Sequence, residues 1–113
     1  MTTPLELKYS GTGEQIVDAS GPLDVTVTAP SDLTLVGKWI GPLTVMPGAT
    51  VRLRGSCHGT VFVGIGSELL VEPESVLRGA LINRGTITNL GTRRVQVLEL
   101  GTIDDSGGAV LEP

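Results

Sequence analysis

The stretch of sequence that decides the fold is residues 33–91, which divides into rows of 18: LTLVGKWIGPLTVMPGAT at 33–50, VRLRGSCHGTVFVGIGSE at 51–68 and LLVEPESVLRGALINRGT at 69–86. Aliphatic residues fall beneath aliphatic residues when these rows are stacked. The first column, extended one row towards the N-terminus, reads Gln15, Leu33, Val51, Leu69 and Ile87. The eleventh column reads Val25, Leu43, Val61, Gly79 and Val97. Such columns indicate a repeated structural unit of 18 residues.

A shorter period of six residues runs through the same stretch. Its members are Leu33, Trp39, Val45, Val51, Cys57, Val63, Leu69, Ser75, Leu81 and Ile87. Three sides of six residues make one triangular coil, and we expect this series to point inward. A single coil cannot cover its own inward side chains, so the coils above and below it must do so.

The sequence therefore predicts an all-β, single-stranded β-solenoid (β-helix) of about five triangular coils with terminal caps. Glycine and proline stand where corners are expected, for example at Pro47–Gly48 and Asn89–Leu90–Gly91. Strand dimensions give sides of about 20 Å and a stack about 24 Å tall. A β-sandwich is the alternative, since its strands also recur every ~8–12 residues. Columns that persist over five rows favour the solenoid.

Composition agrees with an aliphatic interior built from strands. Phe, Tyr and Trp make up only 3% of the 113 residues, and large rings do not fit easily inside a narrow triangle. The 16 glycines and seven prolines interrupt the chain too often for long helices. The net charge of −4 argues against nucleic-acid binding, and no apolar run is long enough for a membrane span. One cysteine and an opening Met1–Pro4 unlike a signal peptide lead us to expect a cytoplasmic protein.

The two ends of the chain depart from the repeat. Residues 1–14 alternate apolar and charged side chains and are expected to form an N-terminal capping strand, with Leu5, Leu7 and Tyr9 on its apolar face. The solenoid itself is assigned to residues 15–103. Residues 104–113 are expected to form a C-terminal loop or cap, to which Val110 and Leu111 contribute.

Two segments resemble the coil pattern of the bactofilins. Residues 69–82, LLVEPESVLRGALI, follow an aliphatic strand with an acidic or proline corner and then a second strand, and residues 43–51, LTVMPGATV, repeat the first half of this pattern. The resemblance covers about residues 33–91. Bactofilins are right-handed triangular β-helices that polymerise end to end without nucleotide. The resemblance therefore implies a self-associating structural protein, a homo-oligomer or filament.

The residues that carry chemistry do not form a catalytic set. Cys57 and His58 are neighbours in a predicted strand, so their side chains should diverge, and neither has a second Cys or His with which to build a zinc site. The acids Glu68, Glu72 and Glu74 read as a solvated corner. Accordingly we expect no enzyme, no metal and no cofactor. Arg52 and Arg54 alternate with inward residues and form a candidate interaction face for an acidic partner.

Three functions remain open at this point. The leading one is a non-catalytic scaffold that self-associates through coil ends or a prism face. The alternative is a binding module, such as a virion component, a decoration protein or an inhibitor, that acts on another protein as a capped monomer or closed oligomer. It is motivated by the charge at the ends, because residues 1–32 and residues 99–113 each carry an excess of acids. A hexapeptide-repeat acyltransferase using His58 as base is the third.

Overall fold

A computed structural model gives an all-β solenoid of about five turns with coils of about 18 residues and no helix in the described part of the chain, as the sequence predicts. The structure describes residues 3–8, 15–29, 31–94, 97–99, 101–105 and 110–112. The strands in chain order are β1 (Thr3–Leu7), β2 (Gln15–Asp18), β3 (Gly21–Val27), β4 (Ser31–Ile40), β5 (Leu43–Val45), β6 (Ala49–His58), β7 (Val61–Val63), β8 (Glu68–Val71), β9 (Val76–Leu77), β10 (Leu81–Asn83), β11 (Thr86–Asn89), β12 (Thr92–Arg94), β13 (Val97–Glu99), β14 (Thr102–Asp104) and β15 (Val110–Glu112).

The strands stack into three faces in which every described pairing is parallel. Face A contains β2, the first parts of β4 and β6, then β8, β11 and β14. Face B contains the start of β3, the last parts of β4 and β6, then β9, β12 and β15. Face C contains β1, the rest of β3, then β5, β7, β10 and β13. Each coil thus contributes one strand segment to each face.

The 18-residue register holds on face A and shifts on the other two. The first column is confirmed on face A, where Val51 pairs with Leu69. On face C, however, Val61 pairs with Leu81, 20 residues later, so the prediction that Gly79 lies beside Val61 is wrong. The next pairing, Leu81 with Val97, returns to a spacing of 16. Two residues are gained in the corner before β9 and two are lost in the corner after β10, so face A is unaffected.

Two kinds of corner account for this shift. The longer corner is a four-residue turn whose third residue has positive φ, the arrangement of a type II turn. In one of these turns, the Ser75 amide donates to the Glu72 carbonyl at 3.0 Å, and the third residue is Glu74, with φ of 71°. The shorter corner is Asn–X–Gly, in which the Asn83 side chain accepts a hydrogen bond from the Gly85 amide at 3.0 Å. This side chain does the work of the longer turn in fewer residues, so the coil shortens.

The core is the inside of the prism. The inward series spaced six residues apart is confirmed, because all ten members are at most 2% exposed. Trp39 belongs to this series and is 1% exposed, although a triangular shaft has little room for an indole. On face B it lies between Gly21 in the preceding coil and Cys57 in the next. The absence of a side chain at Gly21 provides space for the indole.

The described terminal strands continue the stack. Strand β1 pairs with β3 as the first strand of face C, which places Leu5 beside Val25 and Leu7 beside Val27. Strand β15 pairs with β12 as the last described strand of face B, with Val110 beside Thr92 and Leu111 beside Arg93. Tyr9, the third residue expected in the N-terminal cap, lies outside the described residues.

Candidate binding surfaces

The arginines of the expected interaction face, Arg52 and Arg54, both point outward on face A, and each is engaged by an acid. Arg52 contacts Asp32 at 2.7 Å. The Nε atom of Arg54 contacts Glu72 at 2.6 Å, with a second contact from its NH2 group at 3.3 Å. Solvent-exposed pairs of this kind contribute about 0–1 kcal/mol. Their main effect here is to neutralise the arginines, so face A does not present the cationic surface that the sequence suggested.

Cys57 and His58 diverge as expected from their places in one strand. Cys57 is fully buried and His58 is exposed. Burial raises the pKa of the Cys57 thiol to about 12, so the thiolate needed for nucleophilic or metal chemistry is scarce at neutral pH. Within the described residues, no group of three His, Cys, Asp or Glu side chains is placed to hold a metal ion.

The three acids predicted to form one solvated corner are distributed over two faces. Glu68 points outward at the start of β8 on face A, where it lines a depression of about 270 Å³ together with Arg52. Glu72 pairs with Arg54. Glu74 is exposed and lines a different groove, on face B. They therefore do not act as one carboxylate site.

The groove on face B is the larger concavity, with a volume of about 560 Å³. Its lining consists of Lys38, Gly55, Ser56, His58, Glu74, Val76 and Arg78. The strand pairing explains the arrangement, because Lys38, Ser56 and Val76 are aligned across three successive coils. Gly55 leaves the floor of the groove low. We call this concavity the face B groove.

An apolar pocket of about 240 Å³ adjoins the face B groove and shares Lys38 and His58 with it. Gly21, Trp39 and Ile40 complete its lining, and Ile40 is 68% exposed. The buried indole N–H of Trp39 has no hydrogen-bond partner among the described residues. Leaving a buried donor unpaired costs about 1–3 kcal/mol, so this N–H is available to an acceptor that could reach it.

The two ends of the prism differ in character. At the N-terminal end, Leu5, Leu7, Val17 and Leu23 are only partly buried against the core, because no further described coil covers them. At the other end, Arg93 occupies the inward column after Leu77 and is only 8% exposed. It binds Asp105 through two hydrogen bonds of 2.8 and 2.5 Å. Asp105 also accepts a hydrogen bond from the Asn89 amide at 3.0 Å, and the hydrogen bond from Arg93 is the main reason its pKa is lowered.

Sequence analysis did not identify the face B groove. Its cation Arg78 is aligned with His58 only because the corner before β9 has two additional residues, which places Leu77 beside Cys57. A strict 18-residue alignment pairs different residues on this face. The available signal was the proline turn at Glu72–Pro73–Glu74–Ser75, which has no counterpart at the same corner of the preceding row.

Comparisons with protein-family models, with curated proteins and with solved structures find no match for this chain. No helix that could span a membrane is found in the part of the chain that the structure describes.

Proposed function

We propose that this protein is a non-catalytic structural protein of the cytoplasm that self-associates end to end, in the manner implied by its resemblance to the bactofilins. The observation that carries the proposal is the open N-terminal end of the core. Leu5, Leu7, Val17 and Leu23 are inward residues that remain partly exposed there, and burying such apolar surface drives association.

The strand edges support the same mode of association. Among the described strands, β1 pairs only with β3 and β2 only with β4, which leaves one edge of each without a strand partner. The last strands, β13, β14 and β15, likewise pair on one side only within the described residues. Unpaired edges favour the addition of further strands. Stacking the last coil of one copy on the first coil of the next would continue the parallel register, and such a head-to-tail contact does not close on itself, so it generates a filament.

The acidic side chains at the ends are placed so that they permit this contact. Glu6 and Asp18 are exposed and point away from the core, while Asp32 pairs with Arg52. Asp104 is exposed on face A and Asp105 is bound to Arg93. The repulsion between ends therefore acts mainly between solvated charges, which salt screens over about 8–10 Å. Association should therefore strengthen as salt is raised.

Sedimentation velocity over a range of protein and salt concentrations, with negative-stain microscopy, tests the proposal. The blocking variant is Leu5→Lys, which places a charge at the open end of the core. Its control is Ile65→Lys, since Ile65 is 67% exposed at a corner between coils. We expect the wild type and Ile65→Lys to form rods whose length grows with concentration, and Leu5→Lys to remain monomeric while keeping its β circular dichroism. A wild type that stays monomeric at every concentration would overturn the proposal and favour the alternative, a capped binding module.

A further inference from the structure

We propose that the face B groove and its adjoining apolar pocket form one binding site for a small organic anion that carries an apolar chain. This inference goes beyond end-to-end association and does not depend on it, since every lining residue belongs to a single chain. The two concavities measure about 560 and 240 Å³ and share Lys38 and His58. Small-ligand sites typically occupy about 300–1,000 Å³.

The charge of the groove favours an anion. Lys38 and Arg78 contribute two cations to the lining, and His58 adds a ring nitrogen donor or acceptor. Lys38 makes no ion pair with any residue in the described ranges, in contrast to Arg52 and Arg54 on face A. Glu74 is the one carboxylate in the lining and stands at the corner turn. An oxyanion head group fits this set because it accepts hydrogen bonds from several donors at once.

Two polar groups beneath this surface support a ligand. Ser56 is 8% exposed and lines the groove, yet its hydroxyl forms no hydrogen bond within the described part of the chain. The indole N–H of Trp39, in the adjoining pocket, is likewise buried without a partner. Buried polar groups are rarely left unsatisfied in folded proteins. A small ligand with acceptor atoms could enter the concavities and pair with them, whereas a flat protein surface could not.

The apolar part of the ligand is assigned to the pocket beside Ile40. That side chain is 68% exposed, although it lies next to the buried indole of Trp39. An alkyl chain lying over Ile40 and Gly21 would remove this apolar surface from water. The head group would then lie between Lys38 and Arg78, because Lys38 and His58 line both concavities.

Trp39 is the sole tryptophan of the chain, so its fluorescence reports on the site directly. Hexyl phosphate is the probe, with inorganic phosphate and 1-hexanol as its two halves. We expect saturable quenching or a spectral shift with hexyl phosphate, at a Kd at least about tenfold lower than for either half, because the two parts bind together. Absence of a saturable response to hexyl phosphate would overturn the proposal. An equal affinity for 1-hexanol would also overturn it, since the anion would then contribute nothing.

Four variants separate this site from general surface charge. Lys38→Ala and Arg78→Ala should each weaken hexyl phosphate binding at least about fivefold, because each removes a charged donor. Glu74→Gln should tighten it, because it removes the only carboxylate in the lining. The matched control Arg84→Ala removes an exposed arginine at a corner outside the groove and should leave Kd unchanged. If Arg84→Ala weakens binding as much as Lys38→Ala, the interaction is diffuse electrostatics and the site is refuted. Monomeric protein suffices for these titrations, so failure of end-to-end association would not affect their outcome.

Discussion

Placing a carboxyl group at Val61 and at its neighbour Phe62 tests the inward and outward assignment of the whole solenoid. Val61 is fully buried, and on face C it lies between Leu43 and Leu81, which are 0% and 1% exposed. Phe62 is half-buried and points outward between Thr44 and Ile82. The two substitutions, Val61→Asp and Phe62→Asp, introduce the same group one residue apart in one strand.

The expected cost of Val61→Asp follows from the ionisation of the introduced carboxyl. Full burial among apolar side chains raises the pKa of a carboxyl by up to ~3–5 units. Each unit corresponds to about 1.4 kcal/mol, so at pH 7 the ionisation penalty is about 4–7 kcal/mol, before the loss of valine packing. A domain of this size is stable by only about 5–15 kcal/mol. We therefore expect Val61→Asp to be largely unfolded or marginally stable at pH 7.

The pH dependence gives the effect a recognisable sign. The folded-state pKa of the introduced carboxyl is raised above its unfolded value of about 3.9, so as pH rises the unfolded chain loses its proton first. The penalty therefore grows above about pH 4 and largely disappears below it. Phe62→Asp keeps its carboxylate in water and should cost about 1–2 kcal/mol with little added pH dependence.

Urea denaturation of both variants at about pH 4 and pH 7 measures these free energies of unfolding, with Phe62→Asp as the control for the protein's own titration. The stability of Val61→Asp relative to Phe62→Asp should improve at the lower pH. If Phe62→Asp is the more damaging variant, the register is displaced by one residue and every inward assignment changes face.

Three further predictions concern individual sites. Glu74 has a φ of 71°, which costs a non-glycine residue about 1 kcal/mol or more, so Glu74→Gly should raise the melting temperature, whereas an unchanged or lower value would contradict a strained corner. The pKa of Asp105 is lowered in the folded state, chiefly by the hydrogen bond from Arg93, so its contribution to stability is present above the unfolded pKa of about 3.9 and is lost as pH falls through the folded value. Asp105→Asn should therefore flatten the acid limb of stability measured by denaturation, and an unaltered limb would exclude this pair as its source. Burial raises the pKa of Cys57 to about 12, so a thiol reagent at neutral pH should label the protein at the rate of unfolding, and rapid labelling of the native state would refute the burial.

The sequence determined the fold class and the inward residues, because both are properties of local alternation repeated at a fixed interval. Inward residues six apart, from Leu33 to Ile87, could be identified without coordinates, since a narrow prism accepts only small or aliphatic side chains there. Even the divergence of Cys57 and His58 follows from their being neighbours in one strand.

Tertiary structure decided what lies beside what across coils, and hence the candidate site. The Glu72–Ser75 turn and the Asn–X–Gly corners change the coil length from 18 to 20 and then 16 residues on faces B and C, so Val61 lies beside Leu81 and not Gly79. Pairing between outward side chains depends on the same register and also on side-chain reach. For this reason Arg52 and Arg54 are neutralised by Asp32 and Glu72, acids from neighbouring coils. A one-dimensional repeat gives the period of a solenoid, but each corner sets its own length, and only the folded chain shows which outward groups those lengths bring together.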